Sequence, residues 1–137
     1  MTRERPFATI AVKGWLGLRW RRRIFAVSDY RKLHVWRKAH ALAVSVHRDA
    51  VGIRGATYTS LRSQIIRSAM SIPANIVEGR SQGSEKEFGR FLRYAMGSAC
   101  ELESHLKMAR DIGVLSNKTF TPLDTQVTEV RRMLDGL

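Results

Sequence analysis

Apolar residues recur every three or four positions along four separate stretches of this 137-residue chain, a spacing that admits little except helices packed on helices. Each residue advances about 100° around an α-helix, so steps of three and four keep one face in register. Val35, Ala39, Leu42 and Val46 make the first stripe, with Trp36, Ala43 and Ala50 beside it. Leu61, Ile65, Ala69, Ile72 and Ile76 make the second. Phe88, Phe91, Ala95, Ser98/Ala99, Leu102, Leu106 and Ala109 make the third, over about seven turns. Phe120, Leu123, Val127, Val130, Leu134 and Leu137 step as a heptad seam. Four amphipathic helices with short joints predict an all-α, antiparallel up-down four-helix bundle.

Turn and cap chemistry sets the expected boundaries. The first helix runs from about Tyr30 to Val51, with Gly52 and Gly55 ending it. Thr59 or Ser60 caps the second. Pro73 lies inside that second stripe and kinks the helix rather than ending it, because the stripe continues in phase to Ile76. Gly79 and Gly83 bracket the next turn. Ser84 and Glu87 read as a capping box opening the third helix, and Gly113 supplies its left-handed exit. In the fourth, Pro122 is expected at the first helical position after a Thr121 cap, with a short turn over Asn117–Phe120 before it and the main helix reaching Asp135.

The net charge is +12, which predicts attraction to polyanions and says nothing about fold. Residues 1–28 hold seven Lys/Arg against Glu4 alone, half of that excess in about a fifth of the chain. They show no clean period. The chain therefore divides into a basic extension, 1–28, and the bundle, 29–137. The extension reads either as a start placed too far upstream or as a disordered basic arm that gains structure on a polyanion. Lys13 and Arg19-Trp20-Arg21-Arg22-Arg23 argue against an export signal, and no apolar run has the roughly 20 residues that span a bilayer. With Cys100 as its one cysteine, the chain forms no internal disulfide and reads as cytoplasmic.

Nothing in the sequence has the spacing of a catalytic or metal centre. His40 and His47 stand two turns apart, and His34 and His105 are scattered, whereas helical zinc pairs need about i, i+4 with further ligands. Glu101 and Glu103 point to different helix faces, so they make no acid–base dyad. Cys100 reads as a small packed residue. Gly79-Arg80-Ser81-Gln82-Gly83 lacks the lysine and the strand of a phosphate loop. The expectation is a protein that is not an enzyme and uses no cofactor.

Basic residues carry the functional signal. Lys86, Arg90, Arg93 and Gly97 step along one face of the third helix, and Arg80 and Arg67 are placed to extend that stripe. Arg31, Lys32, Arg37 and Lys38 form a second cluster at the start of the first helix. The competing reading is a solvated face balanced by Glu85, Glu87 and Glu101. Gly97 on the stripe would let another backbone come close.

Ser71-Ile72-Pro73-Ala74-Asn75-Ile76-Val77-Glu78-Gly79, followed by Lys86-Glu87-Phe88-Gly89-Arg90-Phe91-Leu92, resembles the four-helix-bundle proteins encoded in intervening sequences of bacterial 23S ribosomal RNA genes. Asp29 to Ala39 resembles that family's opening motif and Ala109 to Leu115 its third-helix exit, so the resemblance covers about Asp29 to Leu137. A similar bundle, the accessory protein of diversity-generating retroelements, forms a basic pentameric ring that engages a reverse transcriptase and nucleic acid. By that likeness the resemblance implies a homo-oligomer, a pentamer, and a reverse transcriptase as partner. Residues and resemblance together lead to non-sequence-specific binding of RNA or DNA backbone through Arg67, Arg80, Lys86, Arg90 and Arg93. The alternatives are a protein-interaction or structural bundle, and a ribosomal intervening-sequence reading frame without a selected activity.

Overall fold

The computed structural model describes residues 29–137, which form four α-helices: α1 (His34–Ala50), α2 (Thr59–Ser81), α3 (Glu85–Asp111) and α4 (Asn117–Asp135). Short 3-10 turns at Asp29–Lys32 and Ala56–Tyr58 lead into α1 and α2. Residues 1–28, expected as a disordered basic arm, lie outside the described residues. Each helix packs on its two neighbours, with α1 against α4 closing the bundle. The core is the four apolar stripes brought together: Leu42, Val46, Ile65, Ile72, Ile76, Leu102, Leu106, Leu123, Val127 and Val130 are its largest fully buried side chains. Each such side chain contributes about 1.5–3 kcal/mol relative to exposure, which is why four stripes that are individually marginal as helices become stable together. Leu137 was expected to complete the fourth stripe, but it lies beyond the helix and is exposed.

Several expected boundaries move. Tyr30 belongs to the 3-10 turn, and Leu33, extended at ψ 119, separates that turn from α1, so α1 starts at His34. Neither Thr59 nor Ser60 caps α2. Its N-cap is Tyr58, without a side-chain hydrogen bond, because the 3-10 turn (Tyr58 N donating to Gly55 O, 3.1 Å) already leads the backbone into the helix. Arg62 ties this corner by donating to the carbonyl of Ile53 at 2.6 Å. As expected, α2 continues through Pro73, which is itself buried. Gly79 does not bracket the turn. It is a buried helical residue against Phe88 and Phe91, while Gly83, at φ 71, makes the turn alone.

Ser84 caps α3, accepting from the Glu87 amide at 3.2 Å. Only half of the capping box is present, since the Glu87 carboxylate is turned to Arg90. At the other end Gly113 (φ 81) lets Val114 N reach Ala109 O at 3.0 Å while Gly113 N bonds Arg110 O at 3.0 Å. That is the paired bond pattern of a glycine-terminated helix. The fourth helix departs furthest from expectation. Ser116, not Thr121, is its cap, accepting from Thr119 N at 3.2 Å, and Asn117–Phe120 are helix rather than a separate turn. Pro122 sits in the second turn, where the missing N–H removes one bond near a helix end and the rest of the ladder continues to Asp135.

Helices α2 and α3 share the most extensive contact in the bundle. The Ser71 and Ser98 hydroxyls bond each other at 2.8 Å, and Asn75 Nδ2 donates to the Ser71 carbonyl (2.8 Å) and hydroxyl (3.0 Å). The Ser71–Ser98 bond crosses between the two helices and marks their antiparallel register, while Asn75 holds the Ser71 side chain from within α2.

Candidate nucleic-acid interface

The Ser84 cap and the acidic first turn of α3, Glu85 and Glu87, stabilise the positive end of the helix and so hold its first residues rigidly. From that start Lys86, Arg90, Arg93 and Gly97 are all exposed, on the face directly opposite Ala95, Ala99 and Leu106. Arg90 is partly committed: it pairs with Glu87 at 2.8 Å and its guanidinium lies over the rings of Phe91 (5.2 Å) and Tyr94 (5.8 Å). Lys86 and Arg93 make no ion pair among the described residues.

The other two expected members do not join this cluster equally. Arg80 is half-buried in the last turn of α2, with its guanidinium 5.9 Å from the centre of the Phe88 ring and its Nε buried without a hydrogen-bond partner. It borders the stripe from the bundle end. Arg67 is exposed but remote. In the Ser71–Ser98 register it lies level with Leu102, about 24 Å along α3 from Lys86.

Because α1 and α3 run parallel, Arg31 and Lys32 lie at the same end of the bundle as Lys86. There the Trp36 ring stacks on His40 (4.9 Å, 23°) and meets the edge of Tyr30 (5.0 Å, 69°), while Arg31 Nε donates to the Tyr30 hydroxyl at 3.4 Å. Sequence reasoning missed this ladder, although an aromatic residue and a histidine four apart on a helix are the spacing that would signal it. Arg37 is exposed, but Lys38 is taken up by Glu129 of α4 at 3.2 Å.

A second missed feature crosses α3 and α4. Glu103, 17% exposed, is gripped by Lys107 (2.7 Å) and by Arg131 from α4. The Lys107 hydrogen bond, opposed by burial and reinforced by Arg131, holds the Glu103 carboxyl below its usual range. Glu101 faces elsewhere, toward His105 at 3.3 Å. A carboxyl lowered on folding adds stability that is present above its unfolded value, about 4.3, and is lost as pH falls through the depressed folded value. Glu103→Gln is therefore expected to lose about 0.5–1 kcal/mol at pH 7. The gap to the parent protein should close on acidification, and urea denaturation at pH 7 and pH 3 reads both. A gap that stays constant over this range would show that Glu103 acts by shape alone.

Among the described residues no three His, Cys, Asp or Glu side chains are grouped to hold a metal, and no helix is long and apolar enough to cross a membrane. The hydrogen bond to Tyr30 makes Arg31 more basic than usual, and the hydrogen bonds to Glu103 do the same for Lys107 and Arg131.

Comparison with known proteins bears on the fold and the family. A crystal structure of a protein of unknown function from the S23 ribosomal protein family of Bacteroides thetaiotaomicron VPI-5482 superposes with a TM-score of 0.70 at 24% identity, covering 74% of this chain and 95% of that one. That likeness establishes the fold. A search of curated proteins finds no match. The family model for the 23S rRNA-intervening sequence protein matches residues 31–136, which span all four helices and both basic clusters, and the chain accordingly belongs to that family.

Proposed function

We propose that this protein binds the phosphate backbone of structured RNA or DNA, without reading sequence, through the exposed cations of α3. The observation that carries this reading is the pair Lys86 and Arg93. Both are exposed on a capped, rigid helix, and neither has an acidic partner among the described residues. Solvated charges that served only solubility would be expected to be matched by carboxylates at i, i+4, as Lys107 is by Glu103. Arg90 stands between them, and Arg31 and Lys32 add charge at the same end, where residues 1–28 join the bundle. Lysine and arginine contacts to phosphate give affinity and salt dependence but carry no base information. The exposed ring on this face is Tyr94, too little to make base stacking the main mode.

The test is the salt dependence of binding. Each phosphate neutralised contributes about 0.7–0.9 to the slope of log affinity against log salt. Changing Lys86, Arg90 and Arg93 together to Ala is expected to reduce that slope by about two units, equally on sequences of different composition. The measurement is fluorescence anisotropy of a labelled RNA hairpin across a salt series. An unchanged slope would remove α3 from the interface.

A further inference from the structure

We infer that the free face of the His40 imidazole, at the open end of the Tyr30–Trp36–His40 ladder, stacks an unpaired nucleobase. The site rests on the backbone-binding reading above and narrows it to one class of nucleic acid, a duplex with a single-stranded tail. Three rings stand in line at the start of α1. Trp36 is half-buried and packs on the core. Tyr30 meets it edge-on at 5.0 Å, and His40 lies nearly parallel to it at 4.9 Å and 23°. Arg31 closes the Tyr30 end, with its guanidinium 5.6 Å from the Tyr30 ring centre and its Nε donating to the hydroxyl. The other end is open. His40 is exposed, and its face away from Trp36 meets no further ring among the described residues. One turn further along α1 stand Ala43 and Val44, which carry neither ring nor charge to cover it.

An imidazole can use both ring nitrogens in hydrogen bonds, yet His40 makes no hydrogen bond or ion pair among the described residues. The stack on Trp36 holds it, so its plane is fixed and the opposite π-face is turned to solvent. Such a face takes a planar group by offset stacking. Charge then selects a nucleotide among planar groups. No exposed residue of α1 is acidic, whereas Arg37 and Arg48 are exposed and have no ion pair among the described residues. They lie on the face adjoining His40, about 4.5 Å before it and about 12 Å beyond it along the helix axis. Phosphates flanking a stacked base therefore find a guanidinium on either side, where charge-assisted hydrogen bonds form.

A paired base inside a duplex is stacked on both faces, so an aromatic face on a helix surface reaches only a base that has left the stack. Arg31 and Lys32, at the foot of α1, lie at the same end of the bundle as Lys86. A strand leaving a duplex held there runs along α1 toward His40. Stacking tolerates any base, because every base has a π-face, and this agrees with binding that reads no sequence. A Trp36–His40 pair that served the helix alone would make no distinction between a tailed and a blunt duplex.

The test compares labelled RNA hairpins on the full chain by fluorescence anisotropy: blunt-ended, with a short unpaired adenosine tail, and with the same tail made abasic. The abasic tail keeps the phosphates and removes the bases. The tailed hairpin is expected to bind about fivefold tighter, or more, than the blunt and abasic ones. His40→Ala should abolish that difference while leaving helix content and the salt slope of the blunt hairpin unchanged. His40→Phe, which keeps a π-face, should retain it. In proton NMR, the imidazole resonances that His40→Ala removes should move upfield on adding the tailed hairpin, and not the abasic one. Any of the following would overturn the stacking site while leaving α3 as a phosphate surface: equal binding of tailed and blunt hairpins, an abasic tail as good as the intact one, a preference that survives His40→Ala, unmoved imidazole resonances, or displacement of the tailed hairpin by an equal concentration of adenosine monophosphate. Failure of every hairpin to bind would overturn both.

Discussion

Replacing Ile76 by Asp is expected to unfold the protein at room temperature. Ile76 is 0% exposed, in the segment of α2 that follows Pro73, and its side chain is one of the largest fully buried in the core. The substitution forfeits about 2–3 kcal/mol of apolar burial. It then forces a carboxylate into a site with no partner, or holds it protonated well above its usual pKa, at a further cost of several kcal/mol. Together these approach the whole stability of a small domain, about 5–15 kcal/mol. Far-UV circular dichroism with a thermal melt reads the result. A helical Ile76→Asp protein melting near the parent temperature would show that this stretch of α2 is not core.

Gly79→Ala should give the second large loss, and in the opposite sense to what helix propensity alone would suggest. Alanine in a helix interior is normally favoured over glycine by about 1 kcal/mol. Here an added Cβ would sit 2.6 Å from the Phe91 Cβ, an atom held by the α3 backbone, and 3.3 Å from the Phe88 carbonyl. Neither neighbour is the far end of a flexible side chain, so the two most extensively packed helices must separate. Overpacking of this kind costs about 1–3 kcal/mol, and net destabilisation of about 1–2 kcal/mol is expected after the propensity gain. Gly89→Ala is the control, because its Cβ would lie at an ordinary 3.8 Å from the Arg93 guanidinium. It should be neutral or stabilising by about 0.5–1 kcal/mol. Urea midpoints at an unchanged m-value compare the two, and a stabilised Gly79→Ala would mean that α2 and α3 are not in contact at this point.

The basic stripe shows how far a linear reading reaches into a surface. Helical spacing alone put Lys86, Arg90 and Arg93 on one face, and the three are exposed together. The same spacing made Glu87 an i, i+3 partner for Arg90 and gave Arg93 no acidic neighbour three or four positions away, but it did not show the Arg90 guanidinium lying over the Phe91 and Tyr94 rings. Nor could it place Arg67 and Arg80, which sit on another helix. Their positions relative to α3 follow from the interhelical register, and one residue of register is about 1.5 Å of displacement.

By itself the sequence determined the four helices and their buried faces. Periodicity is a local property: Val35, Ala39, Leu42 and Val46 must share a face wherever their helix packs. It likewise determined the Ser84 cap and the Gly113 exit, whose hydrogen bonds span only a few residues. The tertiary structure alone decided which chemistry meets across helices. Gly79 looked like a turn glycine and is a point of closest approach to Phe91. Glu103 was legible only as facing a different side of its helix from Glu101, and it is clamped by Arg131, which is 28 positions away. Pro122 looked like a helix start and lies inside α4, because the Ser116 cap closes the first turn ahead of it. In each case the deciding contact or cap competes with an equally good local alternative, and only packing four apolar stripes into one core selects between them.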